Sequence, residues 1–473
     1  MSIKLLGKQS LIYGLGHVAV RGATFLLLPL YTNIFTPEEY GIISLAYMFL
    51  GFMNIILHYG LDASLLKHYV PANKQERKAI TTNAYTSIFI TNLAFIILLI
   101  LLQHQISRLL FGIVYPQIIT TIAGILFFDI LWAIHVLIIR AEGRPVYFTV
   151  INFSNVTISL GLNLFFVLQL QMGMFGVLLS NLITSVFIFC ITIPIIISRF
   201  SYSTLSIQKW KQLMHFGLPF FPAGIFAMIL ELSDRYFLRY LSGIDTVGLY
   251  NAGYKLGMLM MLVVMGFNMA WQPFFLKKEK TERDYIAKVT TLIMALLGFI
   301  LILLTIWIDD LVQIQLFGIS FFGEQYWSST KIVPVIALAY LFHAAYLLQL
   351  PGVYLMEKSS WIAWIRGLGA ISNVVLNFTL IPHFGILGAA IATCSSFILM
   401  AFVIFMVNRR IFVIHYEWKN IFVIFVSALG LYFLSINFDL SFMQKILMSL
   451  SFPVISIFCG VFRIRDFNSL FVD

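Results

Sequence analysis

The residues of this chain that could do chemistry are charged groups set inside apolar runs. Arg21 lies midway along the run 10–33 and Asp129 midway along 117–139. Lys255 lies within 247–274, and Arg366 near the inner end of 361–381. A charge at bilayer depth costs about 2.5–3.5 kcal/mol even on the lenient insertion scale, so each group needs a partner or a water-filled cavity. Buried cations favour an anionic cargo. Arginine suits phosphate, because its planar fork donates two parallel hydrogen bonds. Arg21, Lys255 and Arg366 are therefore the candidate substrate-binding groups. The structural alternatives are an ion pair for Arg21 and snorkelling to the interface for Arg366.

Polar stripes accompany these charges. Ser10, Gly14, His17, Arg21 and Thr24 recur at helical spacing, as do Tyr47, Gly51, Asn54, His58 and Asp62. Asn251 precedes Lys255 by one turn. Arg366 opens a stripe with Ala370, Asn373 and Asn377, and Asn152, Asn155, Ser159 and Asn163 form another. His17, Asn54, His58, Asn152, Asn251 and Asn373 are the expected cavity lining. Hydrogen bonding between helices accounts for the asparagines equally well, and His343 reads as a core histidine. Asp62 falls at the cytoplasmic end of its run. Asp129 is either the counter-ion of a buried cation or a protonatable coupling group. Glu231, Asp234, Arg235 and Arg239 cluster near the outer end of run seven and suggest an ion-pair gate. There is no H-E-x-x-H, G-x-S-x-G, P-loop or dinucleotide fingerprint, so no enzyme, metal or cofactor is expected.

These groups need helices that cross a membrane. The 473 residues are 60% hydrophobic and only 11% charged, with a mean hydropathy of +0.95. Soluble domains are nearer a quarter charged, so a set of soluble domains is excluded. Apolar runs predict about fourteen transmembrane helices, at about 10–33, 41–61, 82–103, 117–139, 147–168, 175–198, 213–238, 247–274, 286–307, 331–353, 361–381, 386–407, 420–437 and 446–462. The first follows Lys4 and Lys8 like a signal peptide. It lacks a small-x-small cleavage site and reads as a retained helix. Pro219, Pro222 and Pro273 mark expected kinks in runs seven and eight.

The formal charge is +10. Most of the 30 basic residues fall in alternate connectors, which places both termini in the cytoplasm. That placement fits an anionic membrane face and no nucleic-acid partner. Cys190, Cys394 and Cys459 have no paired spacing and read as packing residues.

The chain also repeats. Tyr40-Gly41-Ile42 matches Val247-Gly248-Leu249. Leu162-Asn163 followed by Gly173-Met174-Phe175-Gly176 matches Leu376-Asn377 followed by Gly385-Ile386-Leu387-Gly388. The offset is nearly constant and spans six helices, an even number. The fold class is therefore all-α integral membrane. Two pseudo-symmetric six-helix lobes, 1–200 and 210–408, would be followed by two further helices and a cytoplasmic tail, 409–473.

The opening Gly7-Lys8-Gln9-Ser10, Leu28-Pro29-Leu30-Tyr31-Thr32 and Thr36-Pro37-Glu38-Glu39-Tyr40-Gly41 resembles the start of bacterial polysaccharide transporters. Arg140-Ala141-Glu142-Gly143-Arg144, Gly217-Leu218-Pro219-Phe220-Phe221-Pro222 and Ser233-Asp234-Arg235-Tyr236-Phe237-Leu238 extend the resemblance over nearly the whole chain. These are the O-antigen-type and capsule-type flippases of the multidrug/oligosaccharidyl-lipid/polysaccharide exporter superfamily. The resemblance implies two lobes around a central cavity in a bacterial cytoplasmic membrane. It implies export of a polyprenyl-pyrophosphate-linked oligosaccharide, with cavity cations binding it and spans thirteen and fourteen bordering a groove for the lipid tail. Membrane lipids, a glycan polymerase and H+ or Na+ are the further partners it allows. The alternative is a cation-coupled multidrug exporter of the same fold. A membrane enzyme such as a glycan polymerase would need catalytic groups in a large outer loop. The longest outer connector, 309–330, carries Asp309, Asp310 and Glu324 and no recognisable site.

Overall fold

The computed structural model describes residues 25, 27–275, 283–316, 319–358, 360–438 and 440–461. Arg21 and His17 lie outside them. Contacts divide the chain into two compact units, Met1–Gly248 and Leu249–Asp473.

In the first unit, α1 (Leu27–Ile34) leads into α2 (Pro37–His58). The polar Thr36–Tyr40 stretch between the first two apolar runs caps and opens α2. Thr36 and Glu39 form a capping box: the Glu39 carboxylate accepts the Thr36 amide at 3.0 Å and the Thr36 hydroxyl accepts the Glu39 amide at 3.3 Å. Pro37 fills the first turn, where no amide donor is needed. At the other end Tyr59 and Gly60 take left-handed φ of 34° and 80°. This breaks the expected Tyr47–Asp62 stripe. Asp62 belongs to the short helix α3 (Leu61–Tyr69) and is exposed.

Next come α4 (Lys74–Leu101), α5 (Gln103–Phe111), α6 (Pro116–Ala141), α7 (Pro145–Leu164, continued by a π turn) and α8 (Gly173–Ile197). Helix α6 is mostly apolar and more than half buried. It packs on α2, α4 and α8 as the centre of the unit. The seventh run divides where its prolines fall. Helix α9 (Ile207–Gly217) gives way to a 3-10 turn at Leu218–Phe220 and then α10 (Phe221–Ser242). Helix α9 packs on α3 and α4, and α10 on α2.

Helix α11 (Ile244–Gly257) runs from the first unit into the second and meets α12 (Leu259–Phe275) at a 46° bend. The bend falls at Met258, and not at Pro273 as the sequence suggested. Gly257 there presses on α14, where a Cβ would lie 2.7 Å from that of Ile336. The second unit continues with α13 (Arg283–Gln313), α14 (Val333–Leu348), α15 (Leu350–Leu355), α16 (Ser360–Phe384), α17 (Ile386–Ile411), α18 (Trp418–Asn437) and α19 (Phe442–Phe458). Helix α17 is its centre, packed on α14 and α16, while α18 and α19 lie on α13. A two-residue ladder, Gln315 opposite Ser320 and Leu316 opposite Ile319, sits in the connector between α13 and α14.

Eleven described helices are long and apolar enough to span a bilayer, or twelve with the bent α11–α12 pair as one span. Helix α19 is a shorter apolar helix of 17 residues.

The repeat has a local structural counterpart in each unit. Gly173 and Gly385 open α8 and α17 with φ of 59° and 55°, which glycine adopts without strain. Each follows a helix whose asparagines bond forward. Asn163 donates to the Ser180 hydroxyl of α8, and Asn373 to the Thr393 hydroxyl of α17 at 3.4 Å.

Candidate functional site

In the first unit the notable group is Asp129. The Trp132 indole N–H, one turn on, donates to its Oδ1 at 2.8 Å, and Ser185 of α8 is a second hydrogen-bond partner. Tyr47 of α2 lies within electrostatic reach and contacts Asn181 of α8. No basic side chain pairs with Asp129 among the described residues. The carboxyl is thus held by neutral groups from three helices.

Three other polar candidates have local partners. His58, 9% exposed, donates its Nδ1 proton to the Asn54 carbonyl at 2.7 Å, which fixes the tautomer. Asn54 is half-buried. Asn152 donates to the Phe148 carbonyl of its own helix at 2.8 Å. Asp234 and Arg235 form a buried pair at 2.8 Å on α10, and Arg235 also donates to the Glu231 carbonyl at 2.6 Å. On the same helix, Arg239 reaches the Arg108 carbonyl.

Sequence reasoning missed a polar hub of this unit. Glu142 accepts Arg199 Nε and Nη2 at 2.8 and 2.9 Å and the Tyr69 hydroxyl at 2.8 Å. It joins the ends of α3, α6 and α8. Burial opposes the charge of Arg199, but the Glu142 carboxylate outweighs it and raises the arginine pKa. Burial first, and Glu142 next, push the Tyr69 hydroxyl above its ordinary range. The signal was present in the Arg140–Arg144 motif, but motif matching gives no partner for Glu142.

In the second unit Lys255 and Asn251 lie one turn apart on α11, both half-buried. Asn373 and Asn377 are fully buried, and the Asn377 amide donates to Asn373 Oδ1 at 2.9 Å. They tie α16 to α17. Arg366, also on α16, is half-buried and has no acidic partner among the described residues. It lies within electrostatic reach of His343 and Tyr346 on α14. The face of α14 carrying Phe342 and Ala345 borders an apolar groove. A cavity of about 360 Å³ is lined by Ile302, Leu338, Phe342, Ile398, Phe425 and Ala428 among others. A second, of about 270 Å³, shares Phe342, Ile398 and Phe425. Helix α18 forms one wall of both.

The described residues form a multi-pass all-helical membrane fold. The fold is similar to lipid II flippase MurJ in its inward closed conformation, with a TM-score of 0.79 and 14% identity over 97% of this chain and 99% of that one. It is also similar to an inward-facing multidrug resistance MATE family transporter of the MOP superfamily, with a TM-score of 0.63 and 14% identity over 83% and 97% of the two chains. Residues 6–278, more than half of the chain, match the family described as polysaccharide biosynthesis protein, and the chain belongs to that family. Protein 1 of the Lsg locus of Haemophilus influenzae is 23% identical over 406 residues, covering 81% of this chain and 94% of that protein. The polysaccharide-transporter resemblance read from the sequence is borne out.

Proposed function

We propose that this chain is a flippase. It moves a polyprenyl-pyrophosphate-linked oligosaccharide from the inner to the outer leaflet of a bacterial cytoplasmic membrane, by alternating access, for surface polysaccharide synthesis. The observation that carries the reading is the character of α14. One face borders an apolar groove walled by α18, and another faces a guanidinium with no acidic partner among the described residues. A lipid phosphate needs both: an isoprenoid chain gains by leaving water for an apolar surface, and a phosphate is matched by arginine. Arg21, Lys255 and Arg366 are the cations proposed to meet the substrate's negative charge. Membership of a polysaccharide biosynthesis family supports the reading.

The second reading, a cation-coupled multidrug exporter, is favoured by Asp129 and its neutral surroundings. Deletion of the gene separates the two. A flippase predicts loss of surface glycan with unchanged drug tolerance; a drug exporter predicts the reverse. Normal surface glycan in the deletion strain would sink the flippase reading.

A further inference from the structure

Helix α10 rises from a base that α4 holds in place. Side chains of α4 fasten α9 and the connector before it. The Asn83 amide donates to the Thr204 carbonyl and its Oδ1 accepts the Ser206 N–H, each at 2.9 Å. The Thr82 hydroxyl accepts the Ser201 N–H at 3.0 Å, and the Trp210 indole donates to the Ser87 hydroxyl at 2.9 Å. Thr82 and Asn83 are buried, so water does not compete for their bonds.

Beyond this base the helix is interrupted. Gly217 ends α9 and a 3-10 turn runs over Leu218–Phe220. Pro219 and Pro222 lack the N–H that a continuous helix would use, and helices bend at such breaks. Helix α10 then packs mainly on α2. Just past its far end Gly243 has a φ of 104°, which glycine adopts without strain. The helix thus has a joint at each end.

Its far end is held by a contact of another kind. Arg239, half-buried in the last turn of α10, donates to the Arg108 carbonyl in the last turn of α5 at 3.4 Å. The guanidinium lies over Gly112, where a Cβ would come within 2.5 Å of Nη2. A cation is favoured at a helix C-terminus, whose free carbonyls carry partial negative charge. A single long bond at an exposed helix end opens without unfolding the helices it joins.

We propose that Arg239 and the C-terminal end of α5 form a reversible latch, and that α10 swings from the Gly217–Phe220 joint when the latch opens. The alternation of basic connectors reads this end of α10 as outer. The latch would then close the outer side of an alternating-access transporter. That last step rests on the transport reading; the latch itself rests on the contact and the joint.

The test uses the full-length chain in lipid nanodiscs, with Cys190, Cys394 and Cys459 changed to alanine. Spin labels at Leu109→Cys and Tyr240→Cys, both exposed, report the latch. Labels at Gln75→Cys and Gln208→Cys, also exposed, report the base. Helix α10 has 22 residues and is about 33 Å long, so a swing of about 10° moves its tip by roughly 6 Å. Arg239→Met should lengthen the 109–240 distance by roughly that much, leave the 75–208 distance as it was, and melt close to the native chain. Arg239→Lys keeps the charge and should stay near the native distance. Identical 109–240 distances in the native chain and Arg239→Met would overturn the latch. An equal change at 75–208 would overturn the fixed base. A melting temperature several degrees lower for Arg239→Met would make the contact structural and not a moving one. In cells, a membrane-impermeant maleimide added outside should label Tyr240→Cys; labelling from the cytoplasmic side alone would overturn the outer placement and leave the latch. Normal glycan in the deletion strain would overturn the flippase reading and not the latch, because the distances are read without cargo.

Discussion

Gly41 and Gly248 meet backbone to backbone. A Cβ on Gly248 would lie 3.0 Å from the Gly41 nitrogen and would collide with the Pro37 carbonyl. A Cβ on Gly41 would lie 3.3 Å from the Gly248 nitrogen and would collide with the Ile244 carbonyl. The contact is reciprocal, and the two glycines hold the same position in the two sequence repeats. The starts of α2 and α11 are thus pinned by the absence of side chains, as in close helix pairs within membranes. Gly41→Leu and Gly248→Leu should each destabilise this closed contact by about 1–3 kcal/mol. A fall in melting temperature is the expected result. A fully stable leucine variant would show that the helices are free to separate.

A second contact of this kind lies at Gly60. Its φ of 80° already requires glycine, and a Cβ on Gly217 would lie 2.8 Å from the Gly60 carbonyl oxygen. Gly217→Val should lower expression and melting temperature more than Gly143→Val. Gly143 also has a positive φ, of 69°, but a Cβ there would meet nothing within 4 Å. Comparing the two separates the cost of close approach from that of backbone strain.

Glu142 should be the most sensitive acid of the first unit. Glu142→Ala leaves the Arg199 guanidinium and the Tyr69 hydroxyl partly buried without their shared acceptor. A loss of about 2–4 kcal/mol follows from removing one partner of such a network. Glu142→Gln keeps the shape and an acceptor, and should recover part of that loss. Equal melting of Glu142→Ala and the native chain would refute the hub. The exposed Arg144, 3.4 Å from Glu142, should matter little, and Arg144→Ala is a control.

Much of this was legible in the sequence. Hydropathy found the spans because a bilayer demands long apolar helices, and the repeat pointed to Gly41, Gly248, Gly173 and Gly385. The boundaries slipped where local chemistry overrode composition. Thr36 and Glu39 form a cap, so α2 starts earlier than its apolar run, and Tyr59–Gly60 ends it earlier too. The site was harder to see. Periodicity places Arg366 on a stripe with Asn373, but cannot show that Asn373 serves α17 while Arg366 faces α14. His343 read as a core histidine because its link to Tyr346 and Arg366 depends on which faces of α14 and α16 meet. That is a tertiary fact that spacing along one helix does not contain.

Asp129→Asn separates a coupling group from a purely structural one. Asparagine can still accept from the Trp132 indole, so folding should be nearly unchanged. If Asp129 exchanges a proton during transport, the variant should lose any dependence of flipping on a pH gradient in proteoliposomes. Trp132→Phe, which removes the donor and leaves the carboxyl, should shift the pH dependence without abolishing it. Identical pH profiles for native chain and Asp129→Asn would exclude the coupling role.

Arg21 and the groove test the two ends of the proposed substrate separately. Arg21→Ala should abolish surface glycan while the protein still reaches the membrane in normal amount, because its proposed role is to meet the phosphate charge. Ala428, 7% exposed and on the wall of the larger cavity, offers the opposite test. Ala428→Phe would occupy much of the cavity of about 360 Å³. It should weaken binding of a polyprenyl phosphate several-fold, through lost apolar contact with the chain, and leave inorganic pyrophosphate binding as it was. Arg366→Lys should weaken both. If Ala428→Phe leaves lipid affinity unchanged, the groove is a packing defect bordering α18, and the tail must be held elsewhere. Equal loss for both probes would mean that the substitution has distorted α14, because a filled groove has no other route to a phosphate that carries no chain.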